Sequence, residues 1–206
     1  MNPIRGLVNS ANRLRFAVGE TRRWMGRSFE APSPNWVKRT VIMRLGIRGG
    51  TWIETGTYFG DTTACMARTG DRVISIEPQE SLHARAKARF ARMPNVELLL
   101  GSSEQVFPAI MARLSGDATF WLDGHFSGGR TYQSESDTPV RLELEEIARR
   151  LPSLGRLCVM VDDIRHFRPE DPGCADYPSL DWVVDWCRTH GLRWHIEHDM
   201  LVARRG

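Results

Sequence analysis

Five short apolar segments, each followed by a stretch with helical periodicity, constrain the fold of this chain more than any other feature. They lie at 51–55, 72–77, 96–100, 118–123 and 157–162. Strands that are apolar on both faces and alternate with helices are typical of a parallel sheet with helices packed on both sides. The pattern therefore predicts an α/β fold with a doubly wound sheet.

The C-terminal end of the chain departs from this alternation. Two short strand-like segments, 193–197 and 201–204, are joined only by His198-Asp199-Met200. A connection this short can join only antiparallel neighbours. We therefore expect a Rossmann-like sheet that is mostly parallel, ends in a C-terminal antiparallel β-hairpin and carries helices on both faces.

The N-terminal end precedes the alternating pattern and differs from it. Residues 3–26 place apolar side chains along one helical stripe flanked by arginines, and Ala-Pro-Ser-Pro-Asn at 31–35 breaks the helix. We expect an N-terminal helical extension at 1–34 and a cofactor-binding domain at 35–206. The extension can pack on the domain or on a second subunit, act as a lid over the site, or lie on a membrane surface. Its narrow, interrupted stripe favours packing or a lid over the membrane.

Composition and charge limit the class of protein. The 206 residues are 41% hydrophobic and 26% charged with a net charge of +3, which is ordinary for a globular protein and does not indicate a nucleic-acid partner. No apolar run is long enough for a transmembrane segment, and the N-terminus lacks the pattern of a secretory signal. The cysteines form no CxxC pair, so we expect reduced thiols in a cytoplasmic protein.

The first strand runs into a glycine turn, Glu54-Thr-Gly56-Thr-Tyr-Phe-Gly60-Asp-Thr-Thr63. Gly56 permits a sharp turn, and Gly60 lets the next helix begin close to a ligand with its free N–H groups facing that ligand. The GxxxG spacing differs from the GxGxxG of dinucleotide enzymes, which disfavours an NAD-dependent oxidoreductase. An ordinary strand-to-helix turn is the alternative. Candidate contacts with a nucleotide-like cofactor are Glu54, Gly56, Tyr58, Gly60, Thr62 and Thr63.

Two further strand ends carry candidate cofactor contacts. Glu77 ends the second strand, about 20 residues past the turn, where a carboxylate can accept both ribose hydroxyls. Ser102 and Ser103 follow the third strand, where a hydroxyl can bond a ring nitrogen of adenine or, equally, cap the next helix. All these positions fall at the carboxyl ends of predicted strands, which is the edge where open α/β sheets bind ligands.

Three carboxylates follow the fourth and fifth strands, namely Asp123, Asp162 and Asp163. Because neighbouring parallel strands end at the same edge, we expect them to converge, and clustered carboxylates repel one another unless a cation or a proton intervenes. Oxygen ligands of this kind suit Mg²⁺, which would lower the pKa of a bound substrate hydroxyl. The alternatives are a helix cap for Asp163 and a cofactor contact for Asp123.

Catalytic side chains are expected near the same cluster. His125 and His166 can each take a proton from an acceptor hydroxyl, and Asp123 is the third catalytic candidate. A structural role is the alternative for each histidine. The long polar loop 126–137 can close over the acceptor through Arg130 and Tyr132, or it can be an ordinary surface loop.

With these motifs in place, the chain resembles the class I S-adenosylmethionine-dependent methyltransferases over roughly residues 35–205. Within them it is similar to the macrocin O-methyltransferase (TylF-type) group. The resemblance rests on the glycine turn, on Ile76-Glu77, on Trp121-Leu-Asp-Gly-His125 and on Val161-Asp-Asp163. In that group an aspartate after strand four and a pair after strand five bind Mg²⁺, which implies Asp123, Asp162 and Asp163 as ligands.

The resemblance implies that S-adenosylmethionine is the methyl donor, with Mg²⁺ as a further cofactor, and that the acceptor is a hydroxyl on a small molecule such as a sugar or natural product. Ile164-Arg165 follows the aspartate pair and His166 comes next, so whether His166 takes the base role of the group stays open. Asp-Gly-His-Phe after strand four lacks the motif typical of enzymes that methylate amino groups of nucleic-acid bases. The alternative function is a non-catalytic scaffold or partner protein that keeps the cofactor-binding fold.

Overall fold

The computed structural model describes the backbone of residues 3–123 and 138–206, and the side chains of residues 14–123 and 138–206. The candidates His125, Arg130 and Tyr132 lie outside the described residues. Within these ranges the chain forms helices and strands in the order that the sequence predicts. They are α1 (Pro3–Gly26), α2 (Asn35–Leu45), β1 (Thr51–Thr55), α3 (Asp61–Met66), β2 (Arg72–Glu77), α4 (Glu80–Phe90), β3 (Val96–Leu100), α5 (Ser103–Arg113), β4 (Gly116–Leu122), α6 (Val140–Arg150), β5 (Leu154–Val161), α7 (Leu180–Thr189), β6 (Arg193–Glu197) and β7 (Met200–Arg205).

The strands form one sheet in the order β3-β2-β1-β4-β5-β7-β6. β1 to β5 run parallel, whereas β7 pairs antiparallel with both β5 and β6. This arrangement confirms the predicted Rossmann-like sheet with its C-terminal antiparallel hairpin. The chain proceeds from β1 to β2 and β3 on one side and then returns to β4 on the other side, so the strand order changes direction between β1 and β4.

β4 and β5 begin earlier than the apolar pattern predicts, at Gly116 and Leu154. Apart from the buried Leu154, their added residues are polar or small, and they pair through the backbone and through an exposed ion pair. The N–H of Arg156 donates to Asp117 Oδ1 at 2.8 Å, and its Nη2 lies 2.6 Å from Asp117 Oδ2. Apolar periodicity marks only the buried middle of a strand, so it does not register such ends.

The core lies on both faces of the sheet. On one face, α5, α6 and α7 pack around residues such as Ile53, Phe107 and Leu144. On the other face, α2 and α3 pack around residues such as Ile42 and Trp52. Ile53 and Trp52 are neighbours on β1, and successive side chains of a strand point to opposite faces. Both clusters therefore hold the central strands, whose carboxyl ends carry the candidate site.

α1 contacts the following helix near its own C-terminal end. Trp36 Nε1 donates to Thr21 Oγ1 at 3.1 Å, and Asn35 Nδ2 donates to Glu20 Oε1 at 3.1 Å. The ring of Trp24 lies 5.7 Å from the ring of His198, in the turn between β6 and β7. α1 has 24 residues, but no helix in the described ranges is both long and apolar enough to cross a membrane.

Candidate cofactor and acceptor site

The carboxyl ends of β1, β2, β4 and β5 lie side by side at one edge of the sheet. Thr55 pairs with Ile76 on one side and with Leu122 on the other. Leu122 in turn pairs with Val161. The backbone pairing continues past the strands, since the N–H of Asp123 donates to the carbonyl of Thr55 at 3.2 Å. The predicted site residues that follow these strands therefore meet where the strand order changes direction, which is where open α/β sheets bind ligands.

The glycine turn after β1 depends on backbone conformations that favour glycine. Gly56 has φ 86° and Gly60 has φ 74°. A Cβ added at Gly60 would lie 2.7 Å from the ring of Phe90 on α4, so a side chain is excluded there for a second, steric reason. Tyr58, between the two glycines, also has a positive φ of 49° and is exposed. The turn is thus a strained, closely packed segment, as is common at ligand sites.

Glu77 at the end of β2 holds the turn. Its Oε2 accepts a hydrogen bond from the N–H of Tyr58 at 2.7 Å, and its Oε1 accepts one from the N–H of Gln79 at 3.0 Å. Burial raises the pKa of Glu77, while these two backbone donors oppose the rise. The carboxylate therefore lies directly against the glycine turn, at the strand end where a ribose contact is predicted.

Glu54 lies in the interior between β1, β2 and α3. Its Oε2 accepts hydrogen bonds from Thr63 Oγ1 at 2.5 Å and from Ser75 Oγ at 2.6 Å. Burial raises its pKa to about 7 against the effect of these hydroxyls. Both Glu54 and Thr63 are buried, and the hydrogen bond between them joins α3 to the sheet. Direct contact of either side chain with a cofactor stays a prediction.

The candidates after β3 and in α3 occupy distinct positions. Ser102 is the N-cap residue of α5, and its N–H donates to Gln105 Oε1 at 3.2 Å, which agrees with the capping alternative. Ser103 is buried and hydrogen-bonded to Glu143 of α6. Thr62 is half-buried in the first turn of α3. Contacts of these residues with a cofactor stay predictions.

A buried lysine from α2 faces the aspartate pair after β5. Lys38 Nζ lies 2.6 Å from Asp162 Oδ1 and 2.6 Å from Asp163 Oδ1, and all three side chains are buried. The sequence analysis missed Lys38. A signal was present, because Lys38 shares one helical stripe with Val41, Ile42 and Leu45, at the spacing of a buried face.

The charges in this cluster act on one another strongly because water is excluded. Burial lowers the pKa of Lys38, but the carboxylates of Asp162 and Asp163 outweigh it and raise that pKa above its ordinary value. Burial raises the pKa of Asp162, the neighbouring carboxylate of Asp123 raises it further, and Lys38 opposes both. Asp123 and Asp162 therefore interact electrostatically, as the convergence of their strands predicts.

Arg165 extends the cluster toward the hairpin turn between β6 and β7. Its Nη1 lies 2.6 Å from Asp163 Oδ1 and also forms an ion pair with Asp199. The N–H of Arg165 donates to Asp199 Oδ1 at 3.0 Å. Asp163 itself has a positive φ of 54°, a conformation that needs support from its surroundings. The resulting chain of alternating charges runs from Asp162 through Lys38, Asp163 and Arg165 to Asp199.

This arrangement does not fit a Mg²⁺ ion at the predicted ligands. In the described part of the chain, no three His, Cys, Asp or Glu side chains are grouped so that they could hold a metal ion. The ammonium of Lys38 already binds one oxygen each of Asp162 and Asp163. The expected metal site at Asp123, Asp162 and Asp163 stays a prediction that the ligand geometry does not support.

A cleft opens beside the aspartates, between the ends of β4 and β5, α6 and the segment before α7. The cleft is open to solvent, and the space that it encloses is only about 10 Å³, which is room for one water molecule. Its lining combines apolar side chains with hydroxyl and carboxyl groups, including Leu122, Val161, Phe167, Thr138, Glu143, Asp162 and Tyr177. A pocket of this size and lining has room for one hydroxyl group of a ligand, and the rest of that ligand would lie outside it.

Glu143 is a buried carboxyl group that the sequence analysis also missed. It lies on the buried stripe of α6 with Val140, Leu144 and Ile147. It is hydrogen-bonded to Ser103 and Thr55, but its Oε1 has no hydrogen-bond partner among the described residues. Burial raises its pKa to about 7. A carboxyl group with this pKa can accept or release a proton near neutral pH.

His166 lies next to the same cleft, beside its lining residues Phe167 and Tyr177. Its Nδ1 is 3.7 Å from Cys174 Sγ, and its ring is 5.7 Å from the ring of Tyr177. It is half-buried and ends the short helical turn Ile164–His166, which also carries Arg165. The structure therefore brings His166 near the cleft through Tyr177, whereas its role as a base stays a prediction.

The strand order and the glycine turn together define the Rossmann-like fold of methyltransferases. No known protein family and no curated protein matches the sequence. Solved structures do match. SMU.1697c, a candidate methyltransferase from Streptococcus mutans in complex with SAH, is 15% identical with a TM-score of 0.51, over 85% of this chain and 99% of that chain.

Two other solved structures show the same likeness. A candidate rRNA methylase from Clostridium thermocellum is 12% identical with a TM-score of 0.51, over 82% of this chain and 94% of that chain. The YcgJ protein from Bacillus subtilis is 15% identical with a TM-score of 0.50, over 78% of this chain and 70% of that chain. At these identities the likeness establishes the fold alone.

Proposed function

We propose that the chain is an S-adenosylmethionine-dependent methyltransferase. The observation that carries the proposal is the glycine turn at the carboxyl end of β1, with Gly56 and Gly60 at positive φ and Glu77 bonded to the N–H of Tyr58. A turn of this form, beside an acid at the end of the next strand, suits a nucleoside cofactor without a pyrophosphate. The Streptococcus mutans neighbour, whose structure holds SAH, adds support.

Binding of the cofactor tests this proposal directly. Calorimetric titration of the purified chain with S-adenosylmethionine or S-adenosylhomocysteine should reveal one site per chain. Glu77→Gln should weaken the binding, because an amide presents only one acceptor oxygen to a ribose diol. The matched control is Glu80→Gln, which alters an exposed carboxylate in the first turn of α4. Absence of binding to the folded wild-type chain would refute the proposal.

For the acceptor we propose a hydroxyl on a small molecule, such as a sugar or natural product. The cleft supports this, because carboxyl groups of Glu143 and Asp162 line it and can take up a proton. In the reaction the S–CH₃ bond of the sulfonium breaks, an O–CH₃ bond forms, and S-adenosylhomocysteine leaves. The hydroxyl proton passes to a carboxylate or a histidine beside the cleft.

The proton acceptor is the least constrained part of the proposal. Glu143 joins the predicted candidates Asp123, His125 and His166. Turnover measured against pH can identify which described residue accepts the proton. The variants to compare are Glu143→Gln, Asp123→Asn and His166→Gln. Loss of turnover with a changed pH profile identifies the base, whereas a uniform loss with an unchanged profile indicates a positioning role.

An RNA acceptor is the second candidate, because the Clostridium thermocellum neighbour is described as a candidate rRNA methylase. Transfer of labelled methyl groups to a panel of small hydroxylated compounds and, separately, to ribosomal RNA distinguishes the two acceptors. Label in RNA alone would contradict the small-molecule proposal. Label in neither, with intact cofactor binding, would favour the scaffold alternative.

Magnesium assistance is the predicted detail with the least support, because Lys38 already binds two of the three candidate ligands. Turnover with added Mg²⁺ and turnover with EDTA provide the test. Equal rates under the two conditions would contradict magnesium assistance.

We further propose that residues 1–34 form a lid or a homodimer contact next to the domain at 35–206. The apolar side chains of Leu14, Phe16 and Met25 on α1 support this, since they are 68%, 61% and 56% exposed. Deletion of residues 1–30 separates the roles. A lid enzyme loses turnover, a dimer contact changes the mass in light scattering, and a scaffold loses its partner while it keeps its fold.

A further inference from the structure

We infer that Lys38 is the resident cation of the Asp162–Asp163 pair and excludes a divalent metal ion from it. The ammonium group supplies the charge that the clustered carboxylates require. Two consequences follow: the native chain has no saturable metal site at this pair, and removal of Lys38 creates one. Neither consequence needs enzyme activity, whereas metal-independent turnover is a third consequence that rests on the proposed function.

The ammonium group of Lys38 bridges the two carboxylates. Lys38 Nζ lies at the same distance, 2.6 Å, from one oxygen of Asp162 and one oxygen of Asp163. An ammonium has three N–H donors, and two of them are used in these charge-assisted bonds. The side chain is only 7% exposed, so neither solvent ions nor water readily replace it.

A metal ion and this ammonium would compete for the same space. Mg²⁺ binds oxygen ligands at about 2.0–2.1 Å and demands nearly octahedral geometry. An ion that bound the Oδ1 atoms of both Asp162 and Asp163 would lie between them, where Nζ of Lys38 already lies. Two cations cannot share that position, because their mutual repulsion in a water-excluded site would be large.

The charge balance of the cluster supports the same conclusion. Asp123, Asp162 and Asp163 carry the negative charge at the ends of β4 and β5. Lys38 supplies one positive charge, and Arg165, bonded to Asp163 and Asp199, supplies another. The Asp162–Asp163 pair is therefore matched by two cations of the protein itself, whereas Asp123 and Asp199 add two further carboxyl groups to the cluster.

The lysine also has a consequence for the cleft. Asp162 both lines the cleft and binds Lys38, so α2 is joined to the acceptor side of the site by a buried ion pair. In sequence the two residues are 124 positions apart. Lys38 is therefore a positioning residue for Asp162, and the packing of α2 controls that position.

The experiment compares wild type with Lys38→Ala. Mn²⁺ binding is followed by electron paramagnetic resonance and by the shift of the melting temperature. We expect no saturable Mn²⁺ site in the wild type. In Lys38→Ala we expect one site per chain, and we expect added Mn²⁺ to raise the melting temperature of that variant. Adding Asp163→Asn to Lys38→Ala should abolish that site. The matched control is Lys87→Ala, an exposed lysine in the last turn of α4, which should behave like the wild type.

Two results would overturn the inference. One is a saturable Mn²⁺ site in the wild type that Asp162→Asn removes, and this arm does not depend on the folding of any Lys38 variant. The other is a folded Lys38→Ala chain that binds no Mn²⁺. Failure of the proposed function is distinguished by calorimetry, because it would appear as a lack of S-adenosylmethionine binding whatever the outcome with Mn²⁺.

Discussion

The ends of β1 and β2 and the ends of β4 and β5 form two halves of the edge where we propose that ligands bind, but they are held together by different interactions. We name them the cofactor half and the acceptor half. In the cofactor half, Glu77 binds backbone N–H groups and Glu54 binds the hydroxyls of Thr63 and Ser75. In the acceptor half, carboxylates are paired with the cations of Lys38 and Arg165.

The two halves also differ in how far apart their partners lie in the sequence. Glu54 and Ser75 are 21 positions apart, and Tyr58 and Glu77 are 19 apart. Lys38 is 124 positions from Asp162. The cofactor half is thus assembled within one β-α-β unit, whereas the acceptor half forms only when distant elements pack together.

The largest effect is expected where the acceptor half loses its cation. Lys38→Met keeps the apolar stem and removes the charge, so Asp162 and Asp163 are left buried without it. Breaking a buried ion pair in this way costs roughly 3–5 kcal/mol of the free energy of unfolding. Urea denaturation measures the loss, and Lys87→Met is the exposed control. An unchanged unfolding midpoint would mean that ion pairs do not stabilise the acceptor half, so charge pairing would not distinguish the two halves.

The next effect should be nearly equal in the two halves, because burial is the largest cause of the pKa rise at both Glu54 and Glu143. The folded state raises the pKa of Glu54 and of Glu143 from 4.5 to about 7. Folding therefore favours the protonated form, and the stability that this provides is present below pH 4.5 and is lost as the pH rises toward 7. Each carboxyl should contribute about 3 kcal/mol of this change.

The test is the slope of the free energy of unfolding against pH for Glu54→Gln and Glu143→Gln. An amide cannot ionise, so each variant should lose less stability than the wild type between about pH 4.5 and about pH 7. A similar flattening in both variants would sharpen the comparison, since it leaves ion pairing as the difference between the halves. A steeper slope in either variant would contradict the raised pKa.

A smaller effect on stability, with a large effect on cofactor binding, is expected at Gly60. Gly60→Ala introduces a Cβ 2.7 Å from the ring of Phe90 in a backbone with φ 74°. Strain of this kind costs about 1–3 kcal/mol, and the displaced turn should weaken binding of S-adenosylmethionine in calorimetry. Gly26→Ala, where an added Cβ meets nothing within 4 Å, is the control. Normal binding by the Gly60 variant would mean that the turn does not contact the cofactor.

The smallest effect is expected for an exposed ion pair on the cofactor side of the sheet. Arg113 Nη2 lies 2.6 Å from Glu97 Oε1, but the two side chains are 48% and 31% exposed. Arg113→Ala should cost at most about 1 kcal/mol, because solvent screens such pairs. A loss as large as that of Lys38→Met would show that distance alone, and not burial, determines the strength of ion pairs in this protein.

Much of the fold could be predicted because it depends on short-range patterns. The bounds of β1, β2 and β3 follow directly from their apolar segments, and the antiparallel hairpin follows from the short connection at His198-Asp199-Met200. The starts of β4 and β5 were predicted too late, since Asp117 and Arg156 pair without apolar burial. Backbone pairing at a polar strand end leaves no periodic signal.

The candidate site divides in the same way. The meeting of the glycine turn, Glu77, Asp123 and the aspartate pair at one edge could be predicted from the strand ends. Lys38 and Glu143 were missed, although each interrupts an apolar stripe on its helix. Such an interruption shows that a charged residue faces the interior, but it does not name the partner, because the partner lies on another element.

By itself, the sequence determined that the sheet is mostly parallel, which edge of it is the proposed ligand edge, and that three carboxylates lie there. These features could be predicted because periodicity, glycine spacing and strand ends are local properties of the sequence. Only the tertiary structure decided what neutralises two of those carboxylates. The sequence analysis predicted a metal ion, whereas the packing of α2 brings the ammonium of Lys38 to Asp162 and Asp163. Coulomb attraction is strongest for the cation that lies closest to the carboxylates. The distance between that cation and the carboxylates depends on contacts between residues far apart in the chain.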